Sequence, residues 1–218
     1  GIELAKKLNE KIFYGWSIVL AAGLLTFFGT GFFSYTRGFF LPELAGALDG
    51  GNRFFISLGF SLATMTGALI SPAVGRYLDR GSPRKIIFLG IVINSFFYLV
   101  LSRASSLLAF YIAVSIGLGV GMICMGGFTH HRAILNWFDH WRGRAVSVAV
   151  LGASLAGVAM PPVVENLITN YGWQTTYQVF ALVLILGLSP VVWLFFIDQP
   201  GEIKEVRDGR HYSTTNSQ

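Results

Sequence analysis

Cysteine is almost absent from this 218-residue chain; Cys124 stands alone. No internal disulfide can form, and a single Cys inside an apolar run reads as a small packing residue. Charge is scarce as well: Asp, Glu, Lys and Arg make up 12% of the residues, against 53% apolar. A soluble globule of this size needs more polar surface than that to clothe it, so a membrane protein is the first reading. The chain contains no HExxH, no paired Cys and no G-x-S-x-G, and hence no nucleophile–base set or ligand cluster for a catalytic centre, a metal or a cofactor. "GLGVG" (Gly117–Gly121) follows no strand and lacks the next glycine of a dinucleotide loop. Its glycines, like Gly152 and Ala156, fit small-xxx-small packing between helices. The polar opening "GIELAKKLNEK" does not read as a cleavable leader: it runs into an apolar stretch longer than a signal-peptide core, with no small-residue cleavage pattern.

What the chain has in quantity is long apolar runs, with a mean hydropathy of +0.60. A spanning helix needs about 20 mostly apolar residues. Six candidates meet or approach this: Phe13–Tyr35, Phe54–Leu78, Ile86–Leu101, Leu107–Phe128 continuing toward Asn136, Ala145–Ile168 and Thr176–Ile197. Polar connections are expected at Arg37–Arg53, Asp79–Lys85, Ser102–Ser106, Asp139–Arg144 and Thr169–Gln174.

The basic residues are distributed unevenly over these connections. With the N-terminus in the cytoplasm, that side receives Lys6, Lys7, Lys11, Arg76, Arg80, Arg84, Lys85, Arg132, Arg142, Arg144, Lys204, Arg207 and Arg210; the other receives only Arg37, Arg53 and Arg103. Such a bias places both termini in the cytoplasm of a multi-pass protein of the plasma or inner membrane. It also accounts for the net charge of +5 without a nucleic-acid partner. Trp16, Trp137, Trp141 and Trp193 fall near the basic ends and Trp173 near the other, the pattern of an aromatic belt.

Spans two and five echo one another. Gly67 precedes Pro72 as Gly157 precedes Pro162, and Leu78 with Gly81 answers Ile168 with Gly172. The two spans run in opposite directions, so the echo is what an inverted repeat of two three-helix units leaves behind. Chance similarity among common Gly and Pro residues is the competing explanation.

The charged turn "GRYLDRGSPRK" (Gly75–Lys85) resembles the loop between helices two and three of the major facilitator superfamily, roughly G-x-L-x-D-R-x-G-R-[RK]. Gly75, Asp79, Arg80, Arg84 and Lys85 match that pattern, and Gly81-Ser82-Pro83 is a variant of it. "NWFDHWRGRAVSVAVLGASLAGVAMPPVVENLITNYGW" (Asn136–Trp173) is similar to the helix four–five region of the branch holding monocarboxylate transporters and oxalate/formate antiporters. "YGWSIVLAAGLL" from Tyr14 resembles that branch's first helix. The resemblance implies an all-α membrane protein with six transmembrane helices as a 3+3 inverted repeat, half of a twelve-helix major facilitator fold. Residues 1–197 would form the N-terminal bundle and 198–218 a polar cytoplasmic tail. The opening at Gly1 rather than Met, with one bundle and a polar tail, reads as an N-terminal half. Such a half needs a C-terminal six-helix partner or a second copy of the chain.

The resemblance also implies roles. The two–three loop cluster, together with Arg142 and Arg144, would gate the conformational change, Asp79 pairing with Arg84, Arg142 or Arg144; the competing reading is a loop that only sets topology. Arg37 matches a basic substrate-binding position of monocarboxylate transporters, and a guanidinium can hold a carboxylate through two parallel hydrogen bonds. Its alternative is an interfacial Arg that snorkels. In "THHR", His131 and Arg132 are candidate substrate ligands, and His130 and His131 candidate proton carriers. Adjacent helical residues point about 100° apart, so at most one imidazole faces a cavity. These residues could instead lie among headgroups. Glu165 is a further proton candidate, or a loop-facing carboxylate. The expected function is alternating-access transport of a small organic anion such as a monocarboxylate, with protons as a possible co-substrate. A carrier of a neutral or drug-like solute and a non-transporting six-helix assembly module are the alternatives.

Overall fold

A computed structural model of the chain describes residues 15–48 and 51–196. Phe13 and Tyr14, the N-terminal lysines, and the 198–218 tail with Lys204, Arg207 and Arg210 lie outside the described residues. Among the described residues, six helices are long and apolar enough to cross a membrane: span one (Gly15–Tyr35), span two (Arg53–Leu78), span three (Pro83–Ser102), span four (Leu107–Trp137), span five (Arg142–Tyr171) and span six (Trp173–Phe195).

Several of the starts have a local cause. Asn52 caps span two, its Oδ1 accepting from Phe55 N–H at 2.9 Å. Ser106 does the same for span four through Ala109 N–H at 3.2 Å. Span three begins earlier than the hydropathy suggests, because Ser82 caps it and Pro83 occupies its first turn. Arg84 and Lys85 are therefore helical rather than loop residues. Spans five and six are separated by Gly172 alone, whose φ of 85° lies in the left-handed region where a Cβ is disfavoured.

The connection expected at Arg37–Arg53 is mostly a helix, Arg37–Ala47. Phe40, Leu44 and Leu48 recur every fourth residue, and all three are buried. Phe40 stacks on Tyr177 of span six at 4.1 Å between ring centroids, and Tyr177 lies 5.7 Å from Tyr98 of span three. This aromatic stack carries the chain leaving span one across the top of the bundle.

The packing has the symmetry of an inverted repeat. Span one packs on span five as span four packs on span two, and spans three and six pack on each other. Both crossings are backbone-close. A Cβ on Gly152 would stand 2.2 Å from the carbonyl oxygen of Gly23, and one on Gly119 would stand 2.5 Å from that of Ala63. The glycines of the 117–121 run are thus packing residues: Gly117 lies against the Phe97 ring and Gly121 against Asn94. Cys124 is buried beside Val74, Leu78 and Ile86, a packing role as expected.

The aromatic-belt reading holds for only part of the set. Trp141 and Trp193 are exposed, but Trp137 and Trp173 are buried in the core. Trp16 is half-buried and meets the Phe138 ring edge-on at 5.2 Å. Position along a span locates the depth of an indole but not the side of the helix it occupies.

Candidate functional site

The named candidates fall into three places rather than one. The first is the end opposite the basic loops. Thr36 donates to Phe32 C=O at 2.7 Å, closing the π-helical turn Gly31–Tyr35, and Arg37 follows on the next helix with an exposed side chain. Arg37 lines a cavity of ≈ 240 Å³ with Gly38, Leu41, Ser57, Phe60 and Ser61. Ser57 and Ser61 are four residues apart on span two and so share one face. That spacing was present in the sequence, as two hydroxyls in an otherwise apolar turn, but nothing there tied it to Arg37. A guanidinium flanked by hydroxyls, in an open cavity of that size, can accommodate a small anion.

The second place lies inside the bundle, on the half of span four toward the basic end. The helix breaks at Gly126, which is extended (φ −79°, ψ −172°). A Cβ there would lie 2.3 Å from Met122 C=O, so the close turn requires glycine. Thr129 spans the break, donating its hydroxyl to Ile123 C=O at 3.1 Å. Beyond it, His130 is buried, and its Nε2 is 3.1 Å from the Thr26 hydroxyl of span one. Thr26 Oγ1 also lies 2.9 Å from Ala22 C=O, to which it donates, so it accepts from His130 Nε2–H. His131 is half-buried, its ring centroid 4.9 Å from that of His130 and the planes at 78°. The two imidazoles thus meet edge to face. The pairing of His130 with Thr26 was not legible in the sequence, where Thr26 is one hydroxyl in an apolar run.

The third place is the basic end, and here the expected ion pairs are not the ones formed. Asp79 pairs with Arg132 at 4.0 Å, not with Arg84, Arg142 or Arg144. Span four continues as helix to Trp137, which brings Arg132 beside the end of span two. The other cations are engaged locally. Arg142 holds Asp139 at 3.0 Å and bonds its carbonyl. Arg144 lies over the Trp141 ring at 4.4 Å. Arg84 lies over Trp193 at 4.5 Å and donates to the Trp193 carbonyl. Arg80 and Lys85 are exposed, and Gly75 is half-buried. The Asp79 side chain is 72% exposed and that of Arg132 44%, so the pair belongs to the surface class, worth about 0–1 kcal/mol. Arg132, expected as a substrate ligand, lies beside this carboxylate.

Glu165 is exposed, on the half of span five toward Tyr171, and does not line the Arg37 cavity. No group of three or more His, Cys, Asp or Glu able to hold a metal occurs among the described residues.

The profile of the Major Facilitator Superfamily matches residues 7–215. Among curated proteins, the chain is 30% identical over 172 residues to the "Uncharacterized MFS-type transporter YcxA" of Bacillus subtilis, covering 78% of this chain and 42% of the relative. It is 27% identical over 185 residues to Monocarboxylate transporter 13 of Rattus norvegicus, covering 81% and 39% respectively. It is 28% identical over 125 residues to the Fujikurins efflux protein of Gibberella fujikuroi, covering 57% and 26%. The chain thus spans about two-fifths of the length of the first of these relatives. An efflux protein stands beside a monocarboxylate transporter at comparable identity, so the similarity is broader than the single branch that the sequence motifs suggested. With the profile running through all six spans of a bundle paired as an inverted repeat, the chain belongs to the Major Facilitator Superfamily.

Proposed function

We propose that the chain is the substrate-admitting half of a secondary carrier that moves a small organic anion, such as a monocarboxylate, by alternating access. The observation that supports this reading is the Arg37 cavity: a cation and two serine residues at an open end of the bundle, in ≈ 240 Å³. A carboxylate is bound there by parallel N–H donors and released as the bundle rocks against its partner half. That partner is a C-terminal six-helix bundle or a second copy of the chain, and the basic end faces the cytoplasm, with both termini. His130 and His131, with Glu165, are the groups through which protons would couple to the cycle. Uptake of a labelled monocarboxylate panel by the whole transporter in vesicles, with and without Arg37→Ala, tests the assignment. Loss of uptake with Arg37→Ala, partly restored in Arg37→Lys, is expected; uptake unchanged by Arg37→Ala refutes it. Reporter tags at Ser82 and Asn170 should lie on opposite sides of the membrane.

One observation favours a second reading, a carrier of apolar, drug-like solutes. An open groove of ≈ 610 Å³ between spans one and five is lined by Leu20, Leu24, Phe27, Val148, Leu151 and Leu155, among other apolar residues, and presents almost no polar group. Uptake of hydrophobic dyes in place of carboxylates would favour it. A non-transporting assembly module would show neither activity.

A further inference from the structure

Seven cations crowd the basic end among the described residues: Arg76, Arg80, Arg84, Lys85, Arg132, Arg142 and Arg144, against Asp79 and Asp139. A topology signal asks only for positive charge at this end, and any loosely held side chain supplies it. Four of the six arginines are instead held in particular ways, and the manner differs between them. Arg132 is engaged by Asp79, and Arg142 spends two donors on Asp139. Arg84 stacks on Trp193 and spends a donor on that residue's carbonyl.

Arg144 is different. It is exposed and lies over the exposed indole of Trp141, its ζ carbon 4.4 Å from the ring centroid. Among the described residues no carboxylate or carbonyl is recorded as accepting from it. An indole at the end of a spanning helix sits at headgroup depth. A guanidinium stacked on that face is already oriented, and its N–H edges remain available in the ring plane, the fork that fits phosphate oxygens. The exposed cations of the two–three loop lie at the same end, where Asp79–Arg132 ties that loop to span four.

We propose that Arg144 and Trp141 form a binding site for the phosphate headgroup of an anionic phospholipid in the leaflet at the basic end. The bilayer is always present at this depth, and no carboxylate among the described residues pairs with Arg144, so the lipid, rather than a soluble phosphate, is the occupant. The inference is independent of which solute the carrier moves.

The test is native mass spectrometry of the purified full chain equilibrated with phosphatidylglycerol or phosphatidylcholine. Preferential retention of phosphatidylglycerol is expected, reduced about fivefold in Arg144→Gln, the effect of about one basic residue at an anionic surface. Trp141→Leu should lower it in the same direction, and Arg103→Gln, at the opposite end, should leave it unchanged. Arg144→Lys separates an oriented fork from plain charge and should recover only part of the loss. Equal retention of the two lipids, an Arg144→Gln variant that retains phosphatidylglycerol like the parent, or an Arg144→Lys variant indistinguishable from it would each overturn the proposal. Displacement of the lipid by an equal concentration of glycerophosphate would overturn the assignment to a membrane source.

Discussion

Replacing Gly152 with Ala adds one methyl group at the place where spans one and five cross. That methyl would stand 2.2 Å from the Gly23 carbonyl oxygen, with the Gly23 carbonyl carbon at 3.0 Å. Ordinary contact begins near 3.4 Å, so the helices must part by about 1 Å along one of the extensive interfaces of the bundle. The obstacle is backbone, which cannot rotate aside as a side chain can. Overpacking of this kind costs about 1–3 kcal/mol. Ala gains back up to about 1 kcal/mol of helix propensity over Gly. A 2.2 Å approach to backbone belongs at the upper end of the overpacking cost, so the net is a loss of about 1–2 kcal/mol, or roughly 2–8 °C in melting temperature for a domain of this size. Gly143→Ala, on the same helix, is the control: nothing lies within 4 Å of its Cβ position, so only the propensity gain operates. Thermal melts of both variants in one detergent should therefore move in opposite directions. A Gly152→Ala protein that melts with or above the parent would refute the reasoning, because the close crossing would then be unnecessary. Gly119→Ala, whose Cβ would approach Ala63 C=O at 2.5 Å, should behave like Gly152→Ala if the two crossings are true counterparts.

Thr26→Val removes the oxygen that accepts from buried His130 and leaves that nitrogen without a partner. A loss of about 1–3 kcal/mol is expected in melts, and Thr26→Ser should restore most of it; equal melting of Thr26→Val and parent would remove the case for a cross-helix bond. Asp79→Asn should change stability by no more than about 1 kcal/mol, because its pair with Arg132 is largely exposed. Transport in reconstituted vesicles is expected to fall well beyond what that stability change explains, and unaltered transport would show that the two–three loop sets topology only.

Six apolar runs, their order and the basic bias of alternate connections determine the class of this protein without any coordinates. Burial in hydrocarbon selects helices of a fixed minimum length, and that selection acts on composition, which the sequence displays directly. The inverted repeat was legible for a similar reason: Gly67 and Pro72 answer Gly157 and Pro162 because both spans meet the same local demand. The helix at Arg37–Ala47 was legible in principle through Phe40, Leu44 and Leu48, but three charges and a proline between Arg37 and Asp49 concealed it behind the appearance of a loop.

The tertiary structure decided what hydropathy cannot order: which side of each helix meets which neighbour. Asp79 had several cations within reach along the chain, and the one it pairs with comes from the end of span four, because that helix continues past its apolar part. Thr26 acquires meaning only when span four's break at Gly126 sets His130 against it. Arg37 was a candidate already by resemblance, but the serines that share its cavity, Ser57 and Ser61, are brought there by span two. Composition is a property of each segment alone, whereas a site is made by pairs of segments, and the rotation of each helix about its axis is set by packing against the others.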